Sequence, residues 1–176
     1  MTPIPHLETE RLILRAPGPE DVEPYAAFYA SEQADWLGGR LTRDEAWTKL
    51  AAMIGHWRLR GFGRWVVARK SDGAYCGHCG LHFPEGWPEP ELAWSVTATA
   101  QGQGIAFEAA SAARAFAYET AGWTTAISLV AADNGRSAAL AERLGAVFER
   151  EIDFKGHAGV RVYRHPSPAE LRRAAA

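Results

Sequence analysis

The spacing of apolar and polar residues changes period several times along the chain, and each change marks a predicted element. Residues 11–15 alternate polar and apolar, as a half-buried strand does. Pro17-Gly18-Pro19 breaks that strand, and residues 20–29 read as a helix with acids in the first turn, where the helix dipole favours them. Residues 31–41 read as a loop holding Trp36, Gly38 and Gly39. Helical spacing returns over 43–59, with Thr42 as N-cap and Glu45 as its capping-box partner. After Gly61-Phe62-Gly63 comes a strand at Arg64–Arg69, a hairpin turn at Ser71-Asp72-Gly73, and a returning strand at 74–83. Three prolines and two acids make 84–90 an exposed loop. Glu91–Val96 is the next strand, and an Ala-rich helix over 105–120 ends at Gly122. A buried strand at 125–130 follows, then a short helix at 136–144 capped by Asn134 and closed by Gly145. Val147–Phe154 and 160–163 form a closing hairpin around 155–159. Ser167 and Glu170 repeat the capping-box pattern and predict a terminal helix frayed over 174–176. Residues 1–10, with Pro3 and Pro5, predict a loose lead-in.

The junction between the Glu91–Val96 strand and the following helix carries the strongest chemical signal. The turn at 97–104 ends in Gly102-Gln103-Gly104, where a helix N-terminus gathers free backbone N–H groups and favours an anion. The prediction is a cradle for a pyrophosphate. A dinucleotide fingerprint would need a third glycine where Phe107 stands, and a P-loop needs Gly-Lys-Ser/Thr, which the chain lacks. In the helix, Ala106, Ala109, Ala110, Ala113 and Ala117 keep one face small enough to lie close on a sheet, with Phe107 and Phe116 as larger anchors. Period-two spacing sets Glu91, Ala93 and Ser95 on one face of the preceding strand.

Composition narrows the functional classes. A length of 176 residues suits one domain, with a core over about 7–165 and a tail at 166–176. The formal charge of −2 and the absence of a long basic run argue against non-specific nucleic-acid binding, and give no reason to expect a strongly anionic partner. No apolar run approaches the ~20 residues of a membrane span, and no basic-then-apolar leader opens the sequence, so a cytoplasmic protein is expected. Cys76 and Cys79 form a C-x-x-C on a strand, where positions three apart point to opposite faces. No second pair exists to complete a zinc site, so no metal is expected and both are read as reduced thiols. Of seven tryptophans, Trp36 and Trp87 sit in loops and are the candidates to line a substrate pocket.

The spacing Gln101-x-x-Gly104-x-Ala106 resembles the Q/R-x-x-G-x-G/A signature of the GNAT (Gcn5-related) N-acetyltransferases. Three further segments are similar to the RimJ/RimL-like branch of that superfamily: LETERLILRAPGPEDVEPYAAFY, RWVVARKSDGAYCGHCGL, and Asn134-Gly135-Arg136-Ser137 followed by Arg143-Leu144-Gly145. They occur in the branch's order. The resemblance implies an α/β (α+β) GNAT fold: a mixed, mostly antiparallel central sheet of six to seven strands, splayed at the cofactor site and flanked by about four helices. It implies an acetyl-CoA-dependent N-acetyltransferase, with acetyl-CoA as co-substrate. The acetyl group would pass to a primary amine, on a protein N-terminus or a small molecule, by direct attack in a ternary complex. The alternative is a non-catalytic CoA-binding or scaffold protein of the same fold. A homodimer is common in the branch.

The resemblance also implies roles. Gln101, Gly102, Gln103, Gly104, Ile105 and Ala106 would hold the pyrophosphate. The backbone of Trp94, Ser95 and Val96 would pair with the pantetheine arm, with Val96 N–H donating to the thioester oxygen. Arg136 would add positive charge, or stand as a solvated surface arginine. Many members protonate the leaving thiolate with a Tyr seven residues after Asn134, but here that position is Ala141. The branch offers Ser137 instead, with Asn134 beside it at the thiol end; a helix cap and a first-turn residue are the plain alternative for both. Glu91 is the candidate general base, with His78 and His82 as rivals on the neighbouring strand. Trp36, His82 and Trp87 are the candidate substrate-binding residues, and the first two helices with their loop would choose the acceptor. Ala146 stands where the family's K-L-G-F ending has Phe, which opens space near the last strands.

Overall fold

The computed structural model describes residues 3–174, and in it the alternating segments form one sheet. Its strands are β1 (Leu7–Glu8), β2 (Leu12–Arg15), β3 (Arg64–Arg69), β4 (Tyr75–His82), β5 (Glu91–Val96), β6 (Ile127–Val130), β7 (Val147–Phe154) and β8 (His157–Arg164). The helices are α1 (Val22–Ala30), α2 (Arg43–Arg60), α3 (Ile105–Glu119), α4 (Gly135–Arg143) and α5 (Pro168–Ala174). Single 3-10 segments at Pro19–Asp21, Glu32–Leu37 and Ala98–Ala100 shape the turns. Strand order is β1-β2-β3-β4-β5-β6-β8-β7, antiparallel throughout except for β5 and β6. The architecture is the mixed α/β one expected, with eight strands among the described residues instead of six or seven.

The extra strand comes from the lead-in. Its tie is tertiary: the Trp65 indole N–H donates to Pro5 O at 2.7 Å, and Leu7 pairs with Leu14. The 31–41 loop also gains structure, in the Glu32–Leu37 turn. The closing hairpin is tighter than the pattern suggested, with β8 starting at His157. Both capping boxes form, Thr42 with Glu45 and Ser167 with Glu170. Of the predicted frayed end, residues 175–176 lie outside the described ones.

Two helical layers cover the sheet. The small alanine face of α3 lies on one side, against Leu12, Leu14, Trp65, Val67, Leu81 and Leu92. Opposite, α1 and α2 bring Tyr25, Phe28, Tyr29, Leu50 and Met53 onto Val66. Burying residues of this size contributes about 1.5–3 kcal/mol each, and β3, covered on both faces, is apolar from Trp65 to Ala68.

The cysteine geometry departs from expectation. Cys76 and Cys79 are both buried in the core under α3, on the same face. The register of β3 with β4 shifts between Val67 and Ala68, so one residue of β4 is extra and the faces exchange. Gly77 sits at this irregularity with φ +135°, where a Cβ would lie 2.0 Å from Ser95 O.

Candidate functional site

The site is opened by a fork in the sheet. β4 and β5 pair along the whole of β5, from His82↔Glu91 to Gly77↔Val96. β5 and β6 share a single register pair, Glu91↔Ile127. Thr97 N–H donates to Cys76 O, so alternation aims the polar groups of Leu92, Trp94 and Val96 away from β4, towards β6. Ile127 N–H meets Pro90 O at 3.0 Å, and Leu92 O takes the Ser128 hydroxyl at 2.6 Å. Beyond that the strands have parted, and the edges of Trp94 and Val96 face open space. An amide-bearing ligand can add there as a strand adds to a sheet.

Glu91 stands at the fork. Its carboxylate accepts Leu129 N–H at 3.1 Å and the Trp87 indole N–H at 2.7 Å. It is 6% exposed, and burial pushes its pKa up to about 7 against the pull of those two donors. A group of that kind changes protonation near neutral pH. Ser128 also bonds His165 Nε2 at 2.8 Å, and burial draws the His165 pKa down to about 3. Since Ser128 donates to Leu92 O, neutral His165 donates from Nε2 and holds the fork from behind.

At the other end of β5 the predicted nest forms. Gly102 and Gly104 have φ of +72° and +76°, and Gly104 caps α3 in the left-handed region that glycine alone enters cheaply. The first satisfied N–H of α3 is that of Glu108, to Gly104 O at 3.0 Å, which leaves the earlier ones for a ligand. Gln101 ties the rim together: its carbonyl accepts Arg136 at 2.5 Å, and its amide donates to Gln33. A cavity of about 640 Å³ runs from this nest to the fork. Of the eleven residues expected to bind a cofactor, Trp94, Ser95, Val96, Gln101, Gly102, Gly104, Ile105, Ala106, Asn134 and Arg136 line it.

Gln103 does not. Its side chain donates to Thr99 O at 2.5 Å and its carbonyl accepts Arg11 at 2.9 Å, so it serves the turn. Arg143, named in the sequence only within the Arg143-Leu144-Gly145 segment, does line the cavity, with its guanidinium 5.0 Å above the Phe107 ring. An arginine seven residues after Arg136, about two turns on along the same face of α4, was the available signal.

A second cavity, of about 530 Å³, lies on the Glu91–Ser95 face of β5. Trp36, His82 and Trp87 all line it, as do Glu91, Asn134 and Ser137. The two cavities share Trp36, Leu37, Trp94, Ser95, Asn134 and Ser137. Asn134 Oδ1 accepts Ser137 N–H at 3.1 Å, the predicted cap. The Ser137 hydroxyl oxygen also accepts the Trp94 indole N–H at 2.9 Å, which leaves the serine proton free to be donated elsewhere.

His78 belongs to neither cavity. It is fully buried among Tyr25, Phe28, Tyr29 and Tyr75, and desolvation holds it neutral. His82 faces Glu91 across the strands, but burial takes its pKa down to about 2, so its ring is uncharged at neutral pH. Ala141 is fully buried on α4. Ala146 packs with Val130, Tyr163 and Trp94, so the space left by the missing phenylalanine is taken up by aromatic neighbours. Among the described residues, no group of three His, Cys, Asp or Glu side chains could hold a metal ion, and no helix is long and apolar enough to cross a membrane.

Comparison with known proteins places this geometry. Residues 11–147 match the sequence model of the acetyltransferase (GNAT) domain. The chain is similar to an acetyltransferase from Agrobacterium tumefaciens str. C58, at 32% identity over 95% of this chain and 97% of that one, with a TM-score of 0.86. A GnaT-family acetyltransferase from Bordetella pertussis is 31% identical over 92% and 99% of the two chains, with a TM-score of 0.79. RimL, the ribosomal L7/L12 alpha-N-protein acetyltransferase solved in complex with coenzyme A, shares the fold at 17% identity, over 94% and 99% and with a TM-score of 0.77.

Proposed function

The chain belongs to the GNAT acetyltransferase family, and from that premise we propose an N-acetyltransferase of the RimJ/RimL-like branch that acetylates a primary amine by direct attack in a ternary complex. The observation that carries this reading is the meeting of two cavities at Trp94, Ser95, Asn134 and Ser137. One has a backbone nest fit for a pyrophosphate, and the other has a carboxyl group poised near neutrality. Direct attack is supported because Cys76 and Cys79 are buried in the core and line neither cavity, which leaves no thiol at the junction to carry an acyl group.

Acetyl-CoA brings the reactive acetyl thioester. Gly102, Gly104 and the first turn of α3 hold its phosphates through backbone N–H groups, with Arg136 and Arg143 adding positive charge. The open edges of Trp94 and Val96 take the amide-bearing arm, and Val96 N–H donates to the carbonyl oxygen as it gains charge. Glu91, directly or through a water, takes the proton from the acceptor ammonium so that its nitrogen lone pair is free to attack. Ser137 gives its proton to the departing thiolate, held in place by the Trp94 N–H and the Asn134 cap. RimL is described as acting on a protein alpha-amine; for this chain the acceptor is an amine reached through the second cavity.

The test is thiol release from acetyl-CoA with an amine panel, together with thermal shifts. Acetyl-CoA at about 100 times its dissociation constant should stabilise the protein by about 2.7 kcal/mol, and NAD should not. No thiol release with any amine, while acetyl-CoA still binds, would favour the non-catalytic scaffold. No acetyl-CoA shift would remove the reading altogether.

A further inference from the structure

The cavity proposed for the acceptor carries more cations than its own carboxylates pair. Lys49 from α2, Arg64 from β3 and Lys155 from the β7–β8 turn all line it. None of the three is ion-paired with a carboxylate among the described residues. Lys49 lies over the Tyr29 ring at 5.2 Å, and Lys155 over Trp87 at 4.7 Å. Arg64 has the Tyr25 and Tyr29 hydroxyls and the Glu91 carboxyl as its electrostatic partners. The other carboxylate on the wall, Asp35, is already held by Arg40 at 3.1 Å. The cations also feel one another: burial lowers the Lys49 pKa, and repulsion from Arg64 and Lys155 lowers it further. His56 and His82 add no charge of their own, because burial lowers both pKa values.

Three elements distant in sequence therefore bring like charges together in a half-buried space. Such convergence costs free energy unless an anion completes it. Elsewhere this chain pairs its arginines freely, as Arg15 with Asp21 and Arg164 with Glu89. We infer that the acceptor is an amine that also carries an anionic oxyacid group, of the amino-carboxylate class, with its anion held by Lys49, Arg64 and Lys155 and its amine turned toward Glu91. Arginine suits that group because its planar fork matches a carboxylate. Trp36, Met53, Trp87 and Phe154 wall the rest of the cavity and favour an apolar side chain on the acceptor. The overall charge of −2 conceals this local excess.

This inference rests on the acetyl-transfer reading, and the experiment separates the two. Thiol release is compared for matched acceptors, L-phenylalanine against L-phenylalaninamide and L-methionine against L-methioninamide. The amide has the more acidic ammonium and more neutral amine, so chemistry alone favours the amide. The wild-type protein is expected to prefer the acid by about 10-fold or more in kcat/KM. Lys49→Met and Lys155→Met should bring the acid-to-amide ratio close to one, and Lys155→Glu should reverse it; Lys155 lies in an exposed turn, so its loss spares the core. A wild-type ratio at or below one, a ratio indifferent to these charges, or turnover of spermidine but of neither acid overturns the inference while leaving acetyl transfer standing. Absence of an acetyl-CoA thermal shift instead defeats the reading beneath it.

Discussion

The two cavities that meet at Ser137 are built from different materials. The cavity proposed for the coenzyme has backbone as its polar surface: a glycine turn, the first turn of α3 and the open edge of β5. The acceptor side is mostly side chains, drawn from α2, β3, β4, the 84–90 loop, β5 and the β7–β8 turn. A backbone nest reads any diphosphate alike and needs only conformation, so it tolerates change in its neighbours. A side-chain wall reads one acceptor and can be altered residue by residue. A fold alone therefore speaks less for an acceptor than the side chains that wall its site.

That contrast can be broken by removing the group that links the two sides. Glu91→Gln should lower kcat by about 100- to 10,000-fold, the range of a lost general base. In the wild type, activity should rise with pH through the Glu91 pKa of about 7, and the variant should lack that limb. A pH–rate profile of both proteins checks it; an unchanged profile would assign the base elsewhere.

The same substitution has a thermodynamic signature. The folded Glu91 pKa lies above its ordinary value of 4.5. Its contribution to stability is therefore fully present below about pH 4.5 and is lost as pH rises through about 7. Denaturant titrations should show the wild type losing on the order of 3 kcal/mol relative to Glu91→Gln across that window. An equal slope in the two proteins would mean that Glu91 is ionised at little cost.

Ser137→Ala sharpens the junction itself. It deletes the hydroxyl but leaves the Ser137 N–H bond to Asn134, so the cap survives. A fall in kcat of about 10- to 100-fold, with little change in KM for acetyl-CoA, is the expected result by steady-state kinetics. A loss of stability without a loss of kcat would assign the serine to packing with Trp94.

The smallest expected effect isolates the coenzyme side. Gly104→Ala forces a side chain into φ +76°, at about 1–2 kcal/mol. The KM for acetyl-CoA should rise while the KM for the amine stays near its original value. If both constants move together, the two cavities are less independent than their construction suggests.

Legibility followed the same division. Gly102, Gly104, Gln101 and Ala106 stand within six residues, so their spacing alone announces a turn and a helix start. Glu91, Asn134 and Ser137 were readable because a strand period and a helix cap fix their directions locally. Lys49, Arg64 and Lys155 were not, since nothing in their own segments records that they share a cavity. The side-chain bond of Gln103 to Thr99 O was not legible, because a contiguous motif does not tell which of its side chains turns back to bond the turn. The cysteine pair was misjudged because alternation assumes an uninterrupted strand, and the register shift in β4 is set by pairing with β3.

The amino-acid order by itself determined most of the elements, their sequence along the chain and the glycine turn that opens α3, because each depends on interactions within a few residues. Tertiary structure decided where β5 and β6 part, that Glu91 would be buried at the fork, and which cations would line the second cavity. Those depend on desolvation and on charges brought close only after distant segments pack, which no local spacing encodes.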